Sequence, residues 1–190
     1  MSNILLVTGG GRSGKSAYAE SIINANGLPA NDGVLYIATA ARTDREMEER
    51  INHHRAKRPK DWITWERHSN FVAIESEFDK EKFGTILLDC VGNLLMGILF
   101  EEIPDPENFS GDDFRKIEQL VISEFYDLSA YANKYNKRLI LVTNEVGMGI
   151  IPETRYSRYY RDALGRINKH IAKAADKVVL MVAGIPMELK

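Results

Sequence analysis

An α/β fold, with a mostly parallel sheet covered by helices on both faces, is predicted by two patterns in the sequence. Short apolar runs alternate with longer segments of helical periodicity along the chain. The first run, residues 4–8, leads into a glycine-rich segment that is followed by an amphipathic helix. Strands that alternate with helices pair in parallel, and ligands of such sheets bind beyond the carboxyl ends of the strands.

The glycine-rich segment matches G-x-x-x-x-G-K-[ST], the phosphate-binding loop of nucleoside triphosphate-binding proteins. Glycines let successive backbone N–H groups turn inward around an anion, and the next helix points its positive end at the same phosphates. Lys15 is expected to contact the β- and γ-phosphates, and Ser16 to offer its hydroxyl to Mg²⁺. A ligand-free glycine turn is disfavoured because a strand precedes the motif and a helix follows it. The predicted nucleotide-binding residues here are Gly9, Gly10, Gly11, Arg12, Ser13, Gly14, Lys15 and Ser16.

The predicted fold class is therefore the P-loop NTPase fold, of the RecA-like kind, in a single domain that spans residues 1–190. Its strands are predicted at residues 4–8, 34–39, 63–65, 85–89, 139–143 and 177–182. Its helices are predicted at residues 15–25, 44–55, 71–78, 91–100, 112–135 and 154–174, with a short tail after the last strand.

Composition and net charge argue against nucleic-acid-binding, membrane-inserted and disulfide-rich classes of protein. A net charge of −2 gives no bulk attraction for nucleic acid or an anionic membrane, so no nucleic-acid partner is expected. No apolar run approaches bilayer length, and the first strand begins too early for a signal peptide. The single cysteine, Cys90, excludes an internal disulfide framework. We therefore expect a cytoplasmic protein without membrane insertion.

Two later strand ends carry polar side chains that fit a nucleotide site. Asp89 closes an apolar strand, the arrangement in which a carboxylate holds the nucleotide's Mg²⁺ directly or through water. The alternative for Asp89 is a cap on the next helix. Asn144 and Glu145 close the strand at 139–143 and precede a Gly-Met-Gly segment. That segment is either a catalytic or substrate loop or a plain glycine-rich connection.

A helix with two adjacent histidines follows the second strand. Residues 43–46 form a capping box that predicts a helix start at Thr43. Met47, Ile51 and His54 then share one face, whereas His53 points away from it. Arg55, Lys57 and Arg58 follow the histidines and attract phosphate. Their positive charges also favour the neutral imidazole, which is a competent nucleophile. His54 is therefore either a residue of the buried face or a nucleophile.

Several motifs together resemble the bifunctional adenosylcobinamide kinase / adenosylcobinamide-phosphate guanylyltransferase of cobalamin biosynthesis. The resemblance spans essentially the whole chain, and its most specific parts are the His-His pair and the Thr-Asn-Glu-Val-Gly-Met-Gly run at 143–149. The segments that carry it are residues 8–16, 36–39, 46–47, 50–54, 58–62, 141–153, 161–168 and 184–185.

The resemblance implies two reactions at one nucleotide site. ATP or GTP phosphorylates adenosylcobinamide, and GTP then guanylylates the second histidine of the pair, His54, which passes GMP to adenosylcobinamide phosphate. It also implies Mg²⁺ at Ser16 and Asp89 and a homo-oligomer, a trimer. Beyond the phosphate loop, the nucleotide contacts that it implies fall on Thr39, Ala40, Ala41, Arg55, Ala56, Lys57, Arg58, Glu66 and Asp89.

Asp89 departs from the family pattern, which has glutamate there, and its shorter carboxylate suits direct or water-mediated contact with Mg²⁺. Two other functions remain open from the residues. A plain P-loop small-molecule kinase would leave His54 structural, and a nucleotide-dependent switch would need the Asn-Lys-x-Asp guanine signature. The nearest sequence to that signature, residues 133–136, lacks the aspartate. The cationic residues of the helix at 154–174 are interpreted as a solvated face or as a rim for the corrinoid phosphate.

Overall fold

The computed structural model describes residues 3–25, 33–40 and 45–190. Their strands join one seven-stranded sheet in the order β3-β2-β4-β5-β1-β6-β7. The strands are β1 (Asn3–Gly9), β2 (Val34–Ala38), β3 (Ile63–Glu66), β4 (Thr85–Asp89), β5 (Arg138–Val142), β6 (Lys177–Val182) and β7 (Ile185–Glu188). All neighbours pair in parallel except β6 and β7, which are antiparallel. The predicted mostly parallel sheet is confirmed.

The helices are close to their predicted positions. They are α1 (Lys15–Ala25), α2 (Arg45–Lys57), α3 (Ile74–Glu77), α4 (Val91–Glu102), α5 (Gly111–Lys134) and α6 (Arg155–Ala174). Short 3₁₀ turns at Phe71–Ala73 and Lys80–Lys82 flank α3. The predicted start of α2 at Thr43 lies outside the described residues. No helix in the described part of the chain is long and apolar enough to span a bilayer.

Alternate strand residues face two separate cores, as the period of a strand requires. One core holds Leu6, Leu88 and Leu141 with the apolar faces of α4, α5 and α6. The other holds Val7, Leu87 and their neighbours with Ala19 and Ile23 of α1. The helices therefore cover both faces, as predicted, with α5 and α6 supplying most of the first layer.

The chain end differs from the prediction of a short tail. Residues Ile185–Glu188 form β7, which pairs with β6 through a turn in which Ala183 and Gly184 have φ of 51° and 84°. Positive φ at an alanine is uncommon, so the sequence carries little local signal for this hairpin.

The strand order decides which loops meet at the carboxyl edge of the sheet. β1 lies between β5 and β6, and β4 lies on the other side of β5. The glycine loop after β1 is therefore flanked by the segment after β5 and by the β6–β7 turn. Asp89 ends a strand two places from β1.

Candidate nucleotide site

The glycine loop is fixed on two sides by backbone hydrogen bonds. The Glu145 N–H donates to the Gly9 carbonyl over 2.9 Å, and the Gly184 N–H donates to the Ser13 carbonyl over 3.1 Å. Gly9 has φ of 152°, and a Cβ there would lie 2.5 Å from the Met181 carbonyl oxygen. Gly14 has φ of 93°. Glycine is required at both positions, because side chains rarely tolerate these backbone conformations.

Lys15 and Ser16 begin α1, and the lysine is buried. Its Nζ donates to the Gly10 carbonyl over 2.6 Å, which places the ammonium group at the loop. Burial lowers the pKa of Lys15, and the nearby Asp89 carboxylate opposes that shift. The Ser13 hydroxyl is buried and has no hydrogen-bond partner among the described residues, so a phosphate oxygen would satisfy it.

Asp89 belongs to a buried contact that the sequence did not predict. The Tyr36 hydroxyl donates to Asp89 Oδ2 over 2.7 Å. Burial, followed by the Asp89 charge, raises the pKa of Tyr36, so the phenol remains a neutral donor. Asp89 does not cap α4, since Cys90 is the N-cap residue and makes no side-chain cap bond.

The Arg58 guanidinium stacks on the face of the Tyr36 ring. Its guanidinium carbon lies 3.8 Å from the centre of the Tyr36 ring, within the range of a cation–π contact. The Nε and one terminal nitrogen of Arg58 are buried and lack a hydrogen-bond partner in the described ranges. A buried guanidinium with unused donors is suited to an anion.

Other residues predicted to bind the nucleotide are placed around this core. The Thr39 hydroxyl donates to the Cys90 carbonyl over 2.7 Å, so it ties the end of β2 to the end of β4. Ala40 follows β2 at the same edge, and Ala41 lies outside the described residues. Glu66 ends β3 and forms an ion pair with Arg55 at 3.6 Å.

The histidine pair lies in α2, whose backbone is helical from Arg45 to Lys57. Ile51 is buried, as its place on the predicted apolar face requires. Ala56 is exposed. The side chains of His53, His54 and Lys57 lie outside the described part of the structure, so their predicted orientations stay predictions.

The segment after β5 is held by the buried Asn168, for which the sequence pattern predicts no role. Asn168 of α6 accepts a hydrogen bond from the Thr143 hydroxyl over 2.7 Å and donates to the Asn144 carbonyl over 2.9 Å. An amide that satisfies two groups at a strand end fixes where the next segment begins. In the sequence, Asn168 appears only as a polar position on the apolar face of α6.

The residues present fit a magnesium ion bound together with a nucleotide. Mg²⁺ prefers oxygen ligands and is usually held by one or two protein groups plus substrate phosphates. Ser16 offers a hydroxyl at the start of α1, and Asp89 keeps its second carboxylate oxygen beside the one that Tyr36 contacts. The described residues contain no cluster of three acidic, histidine or cysteine side chains that could hold a metal without such phosphates.

A strand–loop–helix with a buried lysine, next to a carboxylate at the end of a second strand, defines a P-loop nucleotide-binding protein. Comparison of the chain with known protein families identifies one family within this class. The chain belongs to the cobinamide kinase / cobinamide phosphate guanyltransferase family, whose model matches residues 5–189. The family resemblance inferred from the sequence is thereby confirmed.

Curated relatives match over nearly their whole length. The bifunctional adenosylcobalamin biosynthesis protein CobU of Escherichia coli K12 is 40% identical over 190 residues, covering 98% of this chain and 99% of that protein. The CobU protein of Salmonella typhimurium LT2 is 40% identical over 192 residues, with the same coverage. The CobP protein of Pseudomonas aeruginosa is 37% identical over 186 residues, covering 97% of this chain and 96% of the relative.

Proposed function

We propose that this chain catalyses two reactions at one nucleotide site. It phosphorylates the hydroxyl of the aminopropanol arm of adenosylcobinamide with ATP or GTP. It then transfers GMP from GTP, through His54, to adenosylcobinamide phosphate and releases adenosylcobinamide-GDP. The observation that carries the proposal is the family match over residues 5–189, in a chain whose buried Lys15 lies at a phosphate-binding loop.

In the kinase step, the loop of residues 9–16 binds the triphosphate of the donor nucleotide. The Lys15 ammonium stabilises charge on the β- and γ-phosphates as the γ-phosphoryl group passes to the substrate hydroxyl. Ser16 and Asp89 would hold Mg²⁺, which neutralises phosphate charge when it is bound. Tyr36 holds the Asp89 carboxylate in one orientation by the 2.7 Å hydrogen bond.

In the guanylyl step, a neutral imidazole nitrogen of His54 attacks the α-phosphorus of GTP. A P–N bond forms, the bond from the α-phosphorus to the bridging oxygen breaks, and pyrophosphate leaves. A phosphate oxygen of adenosylcobinamide phosphate then attacks the same phosphorus, and the P–N bond breaks. Histidine suits this sequence because it is both a nucleophile and a good leaving group.

Arg58 is proposed to bind phosphate during this step. Its two buried N–H groups have no partner among the described residues, and its stacking on Tyr36 places it one side chain away from Asp89. Arg55, Ala56 and Lys57 precede it at the end of α2, where we propose further nucleotide contacts. Glu66, which is paired with Arg55, is proposed to orient that guanidinium.

Two labelled nucleotides test the proposed function. With adenosylcobinamide as acceptor, label on the γ-phosphate of ATP or GTP is expected in a phosphorylated corrinoid. Label on the α-phosphate of GTP is expected in a second, larger corrinoid product. Transfer of the γ-label alone would favour a plain P-loop kinase, and transfer of neither label would contradict the proposal.

We also propose that the chain forms a homo-oligomer, a trimer by the family resemblance. Light scattering on the purified protein tests this, since a trimer would have three times the mass of one 21.5 kDa chain.

A further inference from the structure

We propose that the body of the corrinoid substrate docks in a groove between the segment 147–151 and the outer face of α6. This groove, the α6 groove, continues along α6 to the first turns of α5. The inference rests on the proposed function, because it assigns a site to the corrinoid substrate of those two reactions.

The groove consists of two cavities that share residues. A cavity of about 600 Å³ lies between the segment 147–151 and α6, and one of about 680 Å³ lies between α6 and α5. Asp162 and Arg166 line both cavities, so the two adjoin on the outer face of α6. Cavities of this size are typical of small-molecule sites, and a large macrocycle needs a long open one.

The segment 147–151 presents large apolar side chains to solvent. Met148 is 81% exposed, Ile150 is 93% exposed and Ile151 is 71% exposed. Three such neighbours in one loop at the carboxyl edge form a patch of the kind that marks a binding surface. A corrin ring, with its methyl groups and flat face, would cover this patch.

The segment is anchored at both ends, so it presents the patch in a fixed place. At its start, the Gly147 N–H donates to Glu145 Oε1 over 2.5 Å. Just after its end, Arg158 donates to the carbonyls of Pro152 and Glu153 over 3.0 Å and 2.6 Å. A preorganised surface binds more tightly because less entropy is lost when the ligand arrives.

The anchor at the start also connects the groove to the phosphate loop. Glu145 donates its N–H to the Gly9 carbonyl over 2.9 Å, so the segment begins beside the triphosphate site. The arm that carries the substrate hydroxyl is short, and the hydroxyl must reach the γ-phosphate. The bulky ring must therefore rest on a surface that adjoins the phosphate loop, as the α6 groove does.

The groove offers both hydrogen-bond donors and hydrogen-bond acceptors to a ligand. Arg166 pairs with Glu118 at 2.8 Å, and Arg161 pairs with Asp162 at 2.9 Å. The groove lining also carries Arg115, Arg158 and Lys169, so cations outnumber carboxylates in it. The amide side chains around a corrin ring need both donors and acceptors, and the groove supplies both.

The test measures the Kd of the purified enzyme for adenosylcobinamide. Binding is monitored through the visible absorbance of the corrinoid. Ile151 lines the groove, so Ile151→Asp removes apolar contact there and adds a charge, and burial of one isoleucine is worth about 1.5–3 kcal/mol. We expect the Kd for adenosylcobinamide to rise by about 10- to 150-fold. Labelling of the enzyme by GTP without corrinoid is expected to be unchanged in the same variant.

Val72→Asp is the matched control, since Val72 is 61% exposed in the 3₁₀ turn Phe71–Ala73 after β3. It is expected to bind adenosylcobinamide as the wild type does. Ile151→Ala is a milder second variant, and its Kd is expected to rise by a smaller factor. An unchanged Kd in both Ile151 variants would overturn the proposal.

Two further outcomes are distinguishable. Weaker binding together with a lower oligomer mass in Ile151→Asp would make the segment a contact between copies of the chain, and would also overturn the proposal. A wild-type enzyme that transfers neither label would contradict the proposed function, whereas normal transfer with unaffected variants contradicts only the assignment of the groove.

Discussion

Removal of one oxygen atom tests whether Tyr36 orients Asp89. Tyr36→Phe removes the hydroxyl that donates to Asp89 Oδ2 over 2.7 Å and keeps the ring, which is 2% exposed. The stacked Arg58 and the tilted contact with Trp62, at 6.1 Å between ring centres, do not need the hydroxyl. The variant therefore isolates a single hydrogen bond.

The magnitude follows from the charge of the acceptor. A hydrogen bond to a charged group contributes about 1.5–3 kcal/mol, more than a neutral pair. We expect Tyr36→Phe to lower the free energy of unfolding by about 2 kcal/mol, measured by urea denaturation. For a chain of this length that loss lowers the Tm by about 4–8 °C. GTP-dependent labelling is expected to slow, because Asp89 loses its fixed orientation.

Tyr131→Phe is the matched control, since it deletes the same atom at a second buried site. The Tyr131 hydroxyl is buried and has no hydrogen-bond partner within the described residues. Removal of an unsatisfied buried hydroxyl is expected to leave the free energy of unfolding unchanged or to raise it by about 1 kcal/mol. Equal destabilisation by the two variants, or unchanged stability and labelling in Tyr36→Phe, would refute the role of Tyr36.

Three other predictions concern residues in and around the nucleotide site. Gly9→Ala is expected to lose about 2–4 kcal/mol of unfolding free energy and most nucleotide binding, because the new Cβ meets the Met181 carbonyl at 2.5 Å and φ is 152°. Asn168→Ala is expected to lose about 2–4 kcal/mol by urea denaturation, because the buried Thr143 hydroxyl loses its acceptor. Burial raises the pKa of Cys90 to about 12, so iodoacetamide at pH 8 should modify the native thiol about a thousandfold more slowly than in urea, as judged by mass spectrometry.

Matched variants make these outcomes specific. Gly165→Ala, at a helical glycine whose new Cβ would have no described heavy atom within 4 Å beyond its own helix backbone and chain neighbours, is expected to leave the protein as stable or more stable. Rapid alkylation of native Cys90 would contradict its burial, which leaves it 5% exposed.

Local patterns were sufficient to predict most of the secondary structure. The helix Lys15–Ala25 and the strands Thr85–Asp89 and Lys177–Val182 have the bounds that the sequence predicted. Each combines a clear hydrophobic period with glycine, aspartate or alanine at its ends, so propensity and burial agree. The strand β7 was missed, because its pairing depends on a turn with positive φ at Ala183.

The position of a candidate residue was predictable where its motif is contiguous in the chain. The loop 9–16 and Asp89 lie at strand ends as the sequence predicted, because each follows an apolar strand, and their binding roles stay predictions. The contact from Tyr36 to Asp89 joins residues that are 53 apart in sequence, and it requires β2 and β4 to be neighbours. Strand order is a property of the whole sheet, so this contact could not be read from either strand alone.

The covalent role of His54 is the central claim, and GTP labelled on the α-phosphate tests it most directly. The purified protein is incubated with Mg²⁺ and the labelled GTP, denatured, and assayed for bound label. We predict acid-labile, base-stable label that is lost in His54→Ala and retained in His53→Ala. Label that persists in His54→Ala, or no protein-bound label in the wild type, would contradict the assignment of His54 as the nucleophile.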